Sequence, residues 1–234
     1  MLVRDGIAGT MDDRIQRRTL DELVHKGRYL YPTDVVSVIE RFHAVEGSGV
    51  PRAVITAYVD EFIRRLGPGS PFSRERFARL LDGRVADLDM WLPGTIYEVA
   101  PGRVSVFPLT WHRVLTGVHD PVRYVGVIGE DLAAARGRDT GELLPPVPKQ
   151  LLIDAMMILG GLDRPTAGGL VTEARLGGRL AVEPFQNPEA IVWLATPDGN
   201  HSTPRRSNRP RQSPADGPDD AQRDFASIRP KYRR

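Results

Sequence analysis

The sequence predicts a mainly α-helical chain that carries two β-hairpins, an α+β fold. Three observations predict it. Apolar residues recur three and four apart in successive segments, and Ser, Thr or Asp caps, prolines and glycines mark the segment ends. On either side of a proline run, that period gives way to β-branched and aromatic residues around a turn. Of 234 residues, 41% are apolar and 26% charged, a globular balance on a length that suits one or two domains of about 100–150 residues.

Residues 1–18 are polar and contain glycine, and they read as a loose arm; residues 21–26 read as one helical turn before Gly27. The first firm helix starts at Thr33, a cap after Pro32, and carries Val35, Val36, Ile39, Phe42 and Val45 until Gly47 closes it. Pro51, with its fixed φ, opens a second helix. Val54, Ile55, Tyr58, Phe62, Ile63 and Leu66 form its inner face, and Gly67-Pro68-Gly69 ends it. Ser73 caps a third, in which Phe77, Leu80 and Leu81 point inward and Gly83 terminates. Residues 95–99 and 103–107 then flank Ala100-Pro101-Gly102, where Pro followed by Gly signals a type II turn and hence a hairpin.

Beyond Pro108, Trp111 begins a short helix to Leu115, and Asp120-Pro121 caps a longer one towards Arg136, with Val122, Val125, Ile128 and Leu132 inward. Residues 137–148 include Pro145-Pro146-Val147-Pro148, a stiff extended spacer and the expected domain boundary. Leu151, Leu152, Ile153, Met156, Met157, Ile158 and Leu159 cover most sides of the next helix, which predicts burial nearly all round. Asp163-Arg164-Pro165 starts a last helix with Leu170, Val171, Ala174 and Leu176 as its stripe, and Gly177-Gly178 ends it. A second hairpin follows over 180–183 and 190–195. The expected domains are therefore an arm (1–18), a helical domain with a hairpin (19–136), the spacer (137–148), a two-helix module with a hairpin (149–195) and a disordered basic tail (196–234). No repeat of fixed period is visible.

Net charge is +2, unevenly distributed. The tail holds nine basic residues, among them Arg205, Arg206, Arg209 and Arg211, against five acids, which leaves the body at −2. Such a tail suits a polyanionic partner. Between Arg64 and Arg84 six arginines face only Glu75 and Asp82.

Three helices followed by a hairpin is the element order of a winged helix-turn-helix, and residues 33–107 resemble it, with 149–195 a shortened version. The resemblance is one of element order and rests on no residue motif. It implies that the helix over 73–82 enters a DNA groove with Arg74, Arg76, Arg79 and Arg84, that the hairpin tip projects as a wing with Arg103, and that the tail adds non-specific affinity. Residues 149–195 carry a net −1 and fit homodimerisation better than DNA contact.

Other classes find little support. Cys is absent, which removes disulfides, thiolate metal sites and thiol catalysis. The five histidines make no metal-binding spacing, and no phosphate-binding glycine motif or nucleophile elbow occurs, so no catalytic residue, metal or cofactor is expected. The longest uncharged apolar run, residues 155–162, is too short for a membrane span, and the N-terminus has no secretory core. The expectation is a cytoplasmic, non-enzymatic DNA-binding protein, a regulator or a replication or partition factor of a prokaryotic or viral element. The alternative is a protein–protein adaptor with a basic tether.

Overall fold

Eight α-helices and seven short strands build residues 15–43, 46–137, 144–184, 187 and 189–195, which are those the computed structural model describes. All of them lie in one of the two units of the chain, Met1–Gly199; the other, Asn200–Arg234, lies outside the described residues, as do 196–199. The mainly α, α+β class stands. The expected tail, including Arg205, Arg206, Arg209 and Arg211, is therefore not described, nor are residues 1–14, Val45 or residues 138–143 of the spacer.

The chain enters through α1 (Arg17–Lys26), where a loose arm and one turn were expected. Thr19, Leu20 and Leu23 explain the difference: they share one helix face and are buried, which anchors the whole segment. Helix α2 (Pro32–Phe42) buries Val35, Val36, Val38 and Ile39. Strand β1 (Val50–Pro51) leads directly into α3 (Arg52–Leu66), and α4 (Arg74–Asp82) follows with Ser73 Oγ accepting from the Arg76 N–H. Strands β2 (Val85–Ala86), β3 (Ile96–Ala100) and β4 (Arg103–Ser105) complete a four-stranded sheet in the order β1-β4-β3-β2. Val50 lies opposite Val104, antiparallel. Gly102 takes φ +69°, as the Pro-Gly turn demands.

Helix α5 (Leu109–Leu115) links this part to a second one. There α6 (Pro121–Ala134) is followed by β5 (Val147–Pro148), α7 (Lys149–Ile158), α8 (Arg164–Leu176), β6 (Leu180–Glu183) and β7 (Ile191–Leu194). The sheet order is β5-β7-β6, and Val147 lies opposite Val192, again antiparallel. Apart from α1 and the parallel strand β2, which only the first part has, both parts run helix, strand, helix, helix, then a hairpin whose last strand sits between the early strand and its own partner.

Two buried clusters match this division. One joins Leu20, Val36, Tyr58, Phe62, Phe77 and Val104; the other joins Phe107, Trp111, Ile128, Leu152, Met156 and Val192. The cores therefore change over at Val106–Phe107 and not at the proline run. The described end of that run is structural: Pro145 is buried, Val147 is fully buried, and Val147 and Pro148 are a strand of the second sheet. Likewise α6, expected in the first domain, packs on α7 and α8, so the second part has three helices, not two. The reason is local: Tyr124, Val125 and Ile128 face a core in which the all-round apolar α7 is the centre. Two side chains expected inside are out: Leu80 is 41% exposed and Leu176 is 73% exposed.

Candidate nucleic-acid interface

Helix α4 is held by one side and open on the rest. Phe77 and Leu81 are buried, and Phe77 packs on Phe72, which stacks on Phe62 of α3. Arg74, Glu75, Arg76, Ala78, Arg79 and Leu80 are exposed. Arg76, Arg79 and Leu80 are three and four apart and share one outer face, so an exposed apolar group stands among guanidinium groups. No ion pair given by the described residues holds Arg76 or Arg79. Arg74 pairs with Asp60 at 3.4 Å and remains largely exposed. The Glu75 carboxyl sits below its usual range, first through a backbone hydrogen bond at the helix start, then through Ser73, with Arg74 and Arg79 adding to it.

The other two arginines of the body expected to contact DNA are turned to the scaffold. Arg84 donates from Nη1 to the Gly94 carbonyl at 3.0 Å. Arg103 donates from Nε to the Ser48 carbonyl (2.7 Å) and from Nη2 to those of Glu46 (2.6 Å) and Gly49 (2.7 Å), which clamps the loop before β1. The hairpin tip is tied as well. The Arg52 N–H at the start of α3 donates to the Gly102 carbonyl, and Gly102 N–H donates to Glu98. Neither Arg103 nor its turn stands free as a wing, because both are hydrogen-bonded to the body. The sequence gives no sign of this, since the carbonyls that hold Arg103 lie more than fifty positions away.

One polar cluster escaped sequence reasoning. At the change-over between the cores, Ser105 Oγ accepts from the Phe107 N–H and lies 2.9 Å from His112 Nε2. Glu40 of α2 accepts from the Val106 N–H through Oε2, while its buried Oε1 has no hydrogen-bond partner of good geometry. Burial pushes the Glu40 carboxyl up to about 7, against the pull of Ser105, the Val106 N–H and Arg41. Burial also pushes His112 down to about 4. Both side chains reach the wall of a cleft of about 960 Å³ between the end of α2, α5 and the α7–α8 turn. The cluster joins positions 40, 105 and 112, and no spacing in the sequence marks it.

No family model matches the chain, and neither a curated protein nor a solved structure matches it. No helix of the described residues is long and apolar enough to cross a membrane.

Proposed function

We propose that this protein is a non-enzymatic DNA-binding protein built from two winged-helix-like modules, working in the cytoplasm as a regulator or as a replication or partition factor. The observation that carries the reading is α4: a capped helix, the third of its module, that offers Arg76, Arg79 and Leu80 outward on one face. Guanidinium forks suit phosphates and guanine edges, and an exposed apolar side chain beside them suits a thymine methyl group. Arg74 adds a contact near the helix start. Arg84 and Arg103 hold the scaffold in this reading, and the tail supplies non-specific attraction.

In the second module, the net charge of −1 over residues 149–195 favours a second copy of the chain as its neighbour over a DNA groove. The wider alternative is a protein–protein adaptor with a basic tether. Fluorescence anisotropy with a DNA duplex tests the first reading. In a chain ending at residue 195, which keeps both cores, Arg76→Ala with Arg79→Ala loses about 1–3 kcal/mol for each arginine that reads a base and less for one on phosphate. Folding changes by no more than about 0.5 kcal/mol, as at exposed sites generally. Duplex binding equal to that of the unsubstituted chain contradicts the proposal.

A further inference from the structure

The cleft of about 960 Å³ beside the change-over between the cores has the size of a small-molecule site. The end of α2 forms one wall with Glu40, Phe42 and His43, and the α7–α8 turn faces it with Ile158, Leu162 and Pro165. His43 and His112 both line it. His43 follows Glu40 by three positions, and Glu40 sits against the Ser105–Val106 stretch that anchors His112, so the two rings occupy adjoining parts of the cleft. One nitrogen of each ring meets the hydroxyl of a fully buried residue: His43 Nδ1 lies 2.9 Å from the Tyr58 hydroxyl and His112 Nε2 lies 2.9 Å from Ser105 Oγ. The other nitrogen of each ring has no hydrogen-bond partner among the described residues.

The two hydroxyls decide the tautomers. Tyr58 accepts from the Gln16 N–H at 2.8 Å, and Thr19 Oγ1 beside it makes no hydrogen bond. That leaves His43 Nδ1 as the acceptor of the phenolic proton, and the ring carries its own proton on Nε2. Ser105 accepts from the Phe107 N–H. Burial keeps Glu40 protonated below about pH 7, so the Ser105 hydroxyl proton goes to His112 Nε2 and that ring carries its proton on Nδ1. Burial also opposes charging of both imidazoles, His43 downward and His112 down to about 4. The two rings thus offer the cleft N–H donors and no lone pairs.

The charges around the cleft complete the pattern. Arg41 and Arg164 both pair with Asp154, and Asp163 caps α8 by accepting from the Thr166 N–H. Arg18 lies over the Phe42 ring, 4.8 Å from its centre, and its charge reaches Asp163 without forming an ion pair. One guanidinium without an ion pair and two neutral N–H donors call for acceptor oxygens that carry a single negative charge. We propose that this cleft binds a small monocarboxylate with an apolar body: the carboxylate accepts from Arg18, His43 Nε2 and His112 Nδ1, and the body lies against Ile158, Leu162 and Pro165. A phosphate dianion fits less well, because Arg41 and Arg164 are already engaged. An ammonium fits less well, because Glu40 is neutral and Asp163 is occupied at the helix cap. The site is separate from the face of α4 and does not rest on the DNA reading.

The test follows the histidine ring nitrogens of the full chain by long-range proton–nitrogen NMR, below the Glu40 pKa of about 7. The free protein shows His43 as the Nε2–H tautomer and His112 as the Nδ1–H tautomer. Butyrate, benzoate and naphthoate shift both rings saturably, and affinity rises along that series as more apolar surface leaves water. His25, exposed on α1, does not follow. Benzamide and benzylamine, the neutral and cationic probes of similar size, bind more weakly than benzoate. Arg18→Gln, at an exposed position, weakens benzoate about two- to five-fold, as loss of an exposed ion pair does, and leaves benzamide unchanged. The opposite tautomer in either ring overturns the inference, as does the lack of a saturable shift with all three acids. Benzamide or benzylamine binding as tightly as benzoate overturns it too, and so does an Arg18→Gln chain that binds benzoate unchanged.

Discussion

Val147, one residue before the prolyl start of α7, lies opposite Val192 of the last strand in antiparallel register. Val50, one residue before the prolyl start of α3, stands in the same relation to Val104. In each module a Val-Pro pair therefore closes the sheet and launches the next helix, and both valines are fully buried. Replacing Val147 by Asp places an unpaired carboxylate in the second core and unfolds that module, so a thermal melt of the variant loses its cooperative transition. Retention of the natural melting temperature contradicts a structural role for the proline run.

Gly49 supports the equivalent closure in the first module. It takes φ +66°, and an added Cβ would lie 2.5 Å from Val99 Cγ2 and 2.8 Å from the Val104 carbonyl oxygen. The carbonyl belongs to the sheet and cannot move aside. Gly49→Ala costs about 2–5 kcal/mol, from the left-handed backbone and the overlap together. Gly126→Ala, on α6 with nothing within 4 Å of an added Cβ, is neutral or stabilises by up to about 1 kcal/mol. Urea titrations of the two variants check the contrast.

The helices were legible where caps and apolar spacing agreed. Ser73, Asp120 and Asp163 cap α4, α6 and α8 through their side chains, and Gly102 sits in its turn as the Pro-Gly pair requires. The early strands were not legible, because two-residue strands carry no alternation. Their one signal is the Val-Pro pair at 50–51 and again at 147–148, in front of a helix both times. Reading Pro148 as part of a spacer, and Pro51 only as a helix start, missed that a Pro at a sheet edge can pair through its carbonyl alone. On α4 the exposed arginines followed from helical geometry, while the inward assignment of Leu80 failed because Phe77 and Leu81 already fill the contact with α2 and α3. The ties of Arg103 depend on a distant loop and leave no local trace.

Arg103 is therefore a stability residue. Its guanidinium donates to the backbone carbonyls of Glu46, Ser48 and Gly49. Arg103→Ala destabilises by about 2–4 kcal/mol, since each charge-assisted hydrogen bond is worth about 1.5–3 kcal/mol and water replaces part of the loss. Duplex affinity of the folded fraction stays unchanged. A weaker duplex complex with natural stability returns Arg103 to the DNA face.

Glu40 and His112 set opposing pH dependences. The folded Glu40 pKa is raised from 4.5 to about 7, so the folded chain holds the extra proton between those values. Its contribution to stability is complete below about 4.5 and is lost as pH rises through about 7. His112 is lowered from 6.5 to about 4; its contribution is complete above about 6.5 and is lost as pH falls through about 4. From pH 4.5 to 6.5 the two slopes nearly cancel. Glu40→Gln removes one of them, so relative to the natural chain the variant gains about 3 kcal/mol between pH 4.5 and pH 8, at 1.36 kcal/mol per unit of pKa shift. Chemical denaturation across that range checks it; parallel curves refute the buried cluster.

The salt dependence of duplex binding measures the central claim most directly. A chain that uses Arg76 and Arg79 on phosphates releases one counterion set for each, so their replacement by Ala in the full chain flattens the slope of log K against log salt by about 1.8, at ~0.9 per contact. The remaining slope then reports the tail and Arg74. If one of the pair reads a base edge instead, the slope falls by about half as much while discrimination between duplex sequences drops. A slope and an affinity that both stay at their natural values contradict α4 as the DNA-reading helix.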